Sequence, residues 1–202
     1  MNVSFSVRTS VRVALLLLVA CRSTALAQVL QPGEWRQGTA LAGFAGATTS
    51  SGTGGATGAS IGWELLPHLT IEGSGVWTTR VHGVDAFAAL IGVRVNVTGP
   101  GTVVPFVSAG VGFHRATVET SNANLPSFYR ARLGPLAGPQ THATFDDVVS
   151  AAGAGVDIYV RRHLALRPDV RLLFVRGGAA TRTAGVFGLH LAYHFEEHVT
   201  TP

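Results

Sequence analysis

The chain has no lysine, one cysteine and one methionine, and only 13% of its 202 residues are charged. Each scarcity excludes something. Cys21 stands alone, so no disulfide can form within the chain and the fold must close without a covalent staple. Beyond residue 27 no apolar run approaches the roughly 20 residues of a spanning helix, which excludes transmembrane helices. The cations are 15 arginines against 11 acids, a formal net charge of +4. Three of those arginines (Arg8, Arg12, Arg22) lie in an acid-free N-terminal segment. Without them 12 arginines face 11 acids, a net charge near +1, and a nucleic-acid partner is excluded. No phosphate loop, zinc-ligand spacing or nucleophile elbow is present, so no cofactor, metal or catalytic residue is expected and the chain reads as non-enzymatic.

The N-terminus has the order of a secretory signal peptide. Arg8 and Arg12 precede the apolar run Val13 to Ala20, and Ala25 and Ala27 form an A-x-A cleavage site before Gln28. Leu18-Val19-Ala20-Cys21 also reads as a lipobox. Cleavage after Ala27 is the preferred reading, and it removes Cys21. The remaining chain, about 175 residues rich in Gly, Ala and Val, is long enough for one domain. An exported apolar chain without long helices has one other way to satisfy its backbone in lipid, a closed barrel.

Period-2 alternation predicts eight strands, near 38–48, 57–65, 69–79, 85–97, 103–116, 148–160, 164–175 and 184–195. Most are close to the 9–11 residues a tilted strand needs to cross a bilayer. In 164–175, Leu164, Leu166, Pro168, Val170, Leu172 and Phe174 oppose Arg167, Asp169 and Arg171. The first strand is the weakest, because Gly and Ala dominate both its faces. Pro105 sits near a strand start and Pro168 is expected to mark a bulge. The links at 66–68, 98–102 and 161–163 are short. Those at 49–56, 80–84, 117–147 and 176–183 are longer and are expected to face outward from an outer membrane, with both termini periplasmic. The domain reading is a signal peptide over 1–27, a lead-in over 28–36, a barrel over 37–195 and a tail over 196–202.

Placed on this topology, Trp77, Phe87, Phe113, Phe174 and Phe187 fall on the apolar face near the outer rim. Trp63, Tyr193 and Phe195 fall on the same face near the inner rim. Two aromatic belts flanking an aliphatic band suit the two interfaces of a membrane. The opposite face collects Glu64, Glu72, Arg94, Asp157, Arg167, Asp169 and Arg171, with His114, His190 and His194. An eight-stranded barrel is just wide enough for side chains to fill, so these charges are expected to pair in an interior polar network, with glycines making room for arginine.

The segment Pro105-Phe-Val-Ser-Ala-Gly-Val-Gly-Phe-His114 resembles the P-[YF]-x-x-x-G-x-G strand of small outer-membrane barrels of the OmpA/OmpX-like type. So does Gly153-Ala-Gly-Val-Asp-Ile-Tyr-Val160 leading into Leu164-Ala-Leu-Arg-Pro-Asp-Val-Arg171. The terminal strand, ending Leu191-Ala-Tyr-His-Phe195, looks like the signal that barrel-assembly machinery recognises, with Glu196 to Pro202 following it. The resemblance covers about residues 37–195. It implies an all-β, closed antiparallel up-and-down barrel, outer-membrane lipid as surroundings and the assembly machinery as a partner. No peptidoglycan-binding domain follows, so the anchoring role of longer family members does not carry over.

Three functions stay open at this point: a structural or surface-interaction barrel, a narrow diffusion channel, and a periplasmic lipocalin-like barrel with its faces inverted. The link 117–147, with Pro126, Phe128, Tyr129, Arg130, Arg132, Pro135 and Pro139, is the expected place for an extracellular ligand. His142, Asp146 and Asp147 are the one set at its edge that could meet a cation.

Overall fold

A computed structural model describes residues 38–50, 52–99, 101–133, 141–161 and 163–196. The expected leader with Cys21, the lead-in 28–36, Pro135, Pro139 and the tail beyond Glu196 lie outside those residues. Eight strands follow in chain order: β1 (Gly38–Thr49), β2 (Thr53–Leu66), β3 (Leu69–Val81), β4 (Val84–Asn96), β5 (Val103–Glu119), β6 (His142–Arg161), β7 (Leu164–Gly177) and β8 (Ala180–Glu196). One short helix, α1 (Ser127–Leu133), lies between β5 and β6. Every strand pairs antiparallel with its chain neighbours. β1 also pairs with β8 from Gly38↔Glu196 to Thr49↔Gly185, which closes the barrel and removes every sheet edge.

Three links expected to be long are tight turns. β2 already begins at Thr53, β4 at Val84 and β8 at Ala180, so the links 49–56, 80–84 and 176–183 shrink to 50–52, 82–83 and 178–179. His82 and Gly83 both take positive φ, 54° and 75°, the geometry of a two-residue type I′ hairpin. The fourth link shortens to 120–141, because β5 runs on to Glu119 and β6 starts at His142. The reason is a reversal of alternation. Below Phe113 the outward residues of β5 are Val107, Ala109 and Val111. Above it they are Arg115, Thr117 and Glu119, while the inward ones become Ala116 and Val118. β6 does the same, with Asp146, Thr144 and His142 outward and Phe145 and Ala143 inward. The backbone ladder continues where the apolar stripe changes face, so a rule that follows one stripe stops early.

Pro168 makes no bulge. The β6–β7 register is unchanged from Gly155↔Asp169 to Ile158↔Leu166, and the shift in this pair of strands lies at Tyr159/Arg161 instead. Proline lacks an N–H, so the ladder loses a donor without moving in register.

The wall turns its large apolar side chains outward. Ile91 is 62% exposed and Val107 49%, and Leu41, Ile61, Ile71, Leu172, Leu189 and Leu191 are exposed around them. Trp77 and Phe87 are register partners beneath the His82-Gly83 turn, with ring centroids 6.2 Å apart. Phe113 and Phe187 are exposed at the same end and Phe174 is half-buried. Trp63, Tyr193 and Phe195 are exposed at the end that holds both barrel termini. A soluble protein rarely leaves so much contiguous apolar area in water. The charged face points inward, which excludes the inverted, lipocalin-like arrangement.

Candidate functional site

The interior is filled by layers. At the rim of the termini, His194 Nδ1 lies 3.3 Å from Glu64 Oε1 and its ring sits 5.2 Å from that of Tyr159. Glu64 thus stands apart from the other charges named from sequence. The remaining six meet in one cluster, because alternate positions on β3, β4, β6 and β7 aim at the same level of the lumen. Arg167 reaches across to Asp157 with Nε and Nη2, and its Nη1 lies 3.4 Å from Glu72 Oε2. Arg94 Nη1 is 3.4 Å from Asp157 and 3.8 Å from Glu72. Arg171 Nη2 bridges Glu72 at 3.5 Å and Asp169 at 3.3 Å, while Nη1 donates to Ser74 Oγ at 3.1 Å. His190 Nε2 closes the cluster on Asp169 at 3.1 Å and stacks on Phe44 with centroids 4.6 Å apart.

Space for these long side chains comes from specific glycines. A Cβ on Gly155 would meet the Phe106 ring at 2.6 Å, and one on Gly188 would meet Asp169 Oδ1 at 2.8 Å. Phe106 in turn lies under two guanidinium groups, Arg94 at 5.3 Å and Arg167 at 5.5 Å. Each buried arginine therefore has carboxylates at its edge and an aromatic face beside it, the setting that offsets the desolvation of a buried cation.

Next comes an apolar layer of Phe44, Val76, Leu90, Val149, Leu173 and Val175. The sequence gives little signal for it: on the inward face Phe44 stands between Ala42 and Gly46, Leu90 between Ala88 and Gly92, and Val76 between Ser74 and Thr78. Above it, α1 folds into the mouth of the barrel. Tyr129 is fully buried against Val84, Ala116, Val118 and Leu125, with Phe145 beside it. Arg132 holds Asp147 through two hydrogen bonds of 2.8 Å and lies 4.4 Å from the Phe145 ring. Arg182 of β8 donates to the Tyr129 hydroxyl at 2.7 Å. Burial raises the Tyr129 phenol above its ordinary value, and the Arg182 charge opposes the shift. Pro126, just before α1, accepts the first two helical bonds, from Tyr129 and Arg130, each at 3.0 Å. Proline at a helix start was the available signal for α1.

The three residues considered for a cation separate. Asp147 points inward to Arg132, whereas Asp146 points outward and takes Arg115 at 2.7 and 3.0 Å. The hydrogen bond from Arg115 holds the Asp146 carboxyl below its ordinary range. His142 lies on the outward side with Asp146, bonded through Nδ1 to Thr141. Among the described residues no group of three His, Cys, Asp or Glu is placed to hold a metal. Two cavities, of about 40 Å³ near His114 and Arg182 and about 20 Å³ near Glu72 and Arg171, lie within this filled lumen.

No family model matches the chain, and no curated protein matches it. Solved structures do. The N-terminal β-barrel domain of Pseudomonas aeruginosa OprF is 15% identical, with a TM-score of 0.57 over 80% of this chain and 100% of that one. The outer membrane protein OprG from Pseudomonas aeruginosa is 13% identical, with a TM-score of 0.52 over 83% and 100%. Neisserial surface protein A is 15% identical, with a TM-score of 0.51 over 79% and 96%. At such identities the likeness concerns the fold: this chain has the closed, eight-stranded, antiparallel up-and-down barrel of the small outer-membrane proteins.

Proposed function

We propose that the chain is an exported, non-enzymatic barrel of the bacterial outer membrane whose lumen is plugged, and which acts through its wall and its β5–β6 connection. The observation that carries this reading is the pairing of an apolar outer wall with a lumen occupied by buried side chains at each of the levels described. Asp157, Arg94, Val149, Val175 and Tyr129 are all fully buried at successive levels. The rim that carries the β5–β6 connection then faces outward, and both chain termini of the barrel lie at the periplasmic rim. The leader would be cut after Ala27, the assembly machinery would insert the strands, and the exposed tip beside α1 would offer the contact surface.

Two measurements on the precursor expressed in a Gram-negative host test this. In isolated outer membranes the protein is expected to run differently on SDS gels with and without boiling. In planar bilayers the purified barrel is expected to give no steady conductance. A soluble periplasmic protein without a gel shift would remove the membrane assignment. Reproducible single-channel steps would replace the plug by a narrow pore.

A further inference from the structure

We propose that the cavity beside α1 is a binding site for one small monovalent anion of about formate size, open to the β5–β6 end of the barrel. Arg94, Arg132, Arg167 and Arg171 each meet a carboxylate. Arg182 also points inward but has no carboxylate partner among the described residues. Its bonds go to neutral oxygens, Ser50 Oγ at 2.8 Å through Nε and Tyr129 OH at 2.7 Å through Nη1. A guanidinium carries five donors, so further N–H groups remain. Among the described residues the acid on the inward wall nearby is Asp147, and it is already held twice by Arg132. Arg182 therefore lacks a counter-charge among the described residues, in a half-enclosed setting where an unpaired ion is costly.

The cavity next to Arg182 fits an anion as its counter-charge. No carboxylate lines it. His114, register partner of Asp147, lines it too; the ring is 6% exposed and its Nδ1 has no hydrogen-bond partner. The hydroxyls of Thr48 and Thr78 already donate to Gly185 O and Ala86 O. Arg182 thus keeps free N–H groups at the cavity, and the His114 ring adds a donor in the tautomer that protonates Nδ1, over a floor of Val76 and Leu173. A cation would meet no carboxylate in this lining. The volume sets the size: about 40 Å³ holds roughly three water-sized centres, taking 10–15 Å³ for each. That admits formate and leaves sulfate too large.

The test is a titration of the full barrel, folded in detergent micelles, followed by NMR of the His114 and Tyr129 rings. Sodium formate is added at constant ionic strength, balanced with sodium gluconate. A saturable shift is expected for formate, and none for sulfate. Arg182→Gln should weaken binding about tenfold or more, the loss of a charged hydrogen bond, while Arg176→Gln on the outer wall should leave it unchanged. Arg182→Lys, which keeps the charge, should retain binding, and Thr78→Leu, which fills the space with Arg182 intact, should abolish it. These last two variants decide the matter if Arg182→Gln does not fold. Absence of saturation in the native protein, equal binding by Arg182→Gln, or equal binding of sulfate would each overturn the proposal.

Discussion

Replacing Arg167 by methionine is the sharpest test of a plugged lumen. Arg167 and Asp157 are 2% and 1% exposed, so water screens neither. The substitution keeps most of the volume but removes two bonds to Asp157 and one to Glu72. Asp157 then retains only Arg94, at 3.4 Å. Removing one partner of a buried ion pair costs about 3–5 kcal/mol, because the other charge stays behind. That corresponds to a loss of roughly two to three orders of magnitude or more in the folding equilibrium. Arg167→Met with Asp157→Leu removes both charges and should recover most of the loss, since an apolar pair of similar volume often replaces a buried ion pair without cost. The assay is urea unfolding of the barrel folded in lipid vesicles, read from the fluorescence of the wall tryptophans Trp63 and Trp77. A single variant that loses under about 1 kcal/mol, as for a solvated surface pair, would refute the reasoning. So would a double variant that falls as far as the single one. The first result would mean that water fills the lumen, the second that the loss does not arise from the charge left on Asp157.

Glycine positions should separate by what a Cβ would strike. Gly112→Ala puts a Cβ 1.9 Å from the Ala89 carbonyl, whereas Gly73→Ala meets only Ile61 at 3.7 Å; heat modifiability should be lost in the first and kept in the second. Val107→Arg, in the middle of the apolar wall, should cost about 2–4 kcal/mol in lipid, while Thr117→Arg, above it, should be near neutral by the same urea assay. Asp147→Asn should release Arg132, and with it α1, from β6; trypsin should then cut after Arg130 or Arg132 much faster while the barrel still shifts on boiling, and unchanged cleavage would show that other contacts hold the helix. Mass measurement of the protein from outer membranes should give Gln28 as its first residue; a lipid adduct on Cys21 would favour the lipobox instead.

Within the apolar wall the architecture was legible, because lipid outside and charges inside imprint a strict two-residue period. Arg167, Asp169 and Arg171 alternate with Leu166, Pro168, Val170 and Leu172, and that pattern separates the two faces of β7 without saying which of them points inward. The pairing within the network was not legible. Nothing near Glu64 in sequence says that His194 takes it while Glu72 joins three arginines, since strand register sets those distances. The plug was hidden for a related reason: Tyr129 and Arg182 are 53 residues apart, and their contact exists only once the barrel has closed. The links 49–56 and 176–183 looked like loops because Gly, Ser and Thr carry no stripe, although residues 53–56 and 180–183 pair in the ladder like any others.

The change of face near Phe113 and Val148 has a consequence for how this chain can vary. Below that level a strand position tolerates grease outside and polarity inside. Above it the preference swaps, and Ala116, Val118 and Phe145 make a small water-soluble core around Tyr129. The same strands thus carry two miniature proteins of opposite polarity in tandem, one solvated by lipid and one by water. A substitution scan along β5 should show its hydrophobic tolerance change sign within about one residue pair. That crossing point would mark the height of the membrane surface without any lipid being seen.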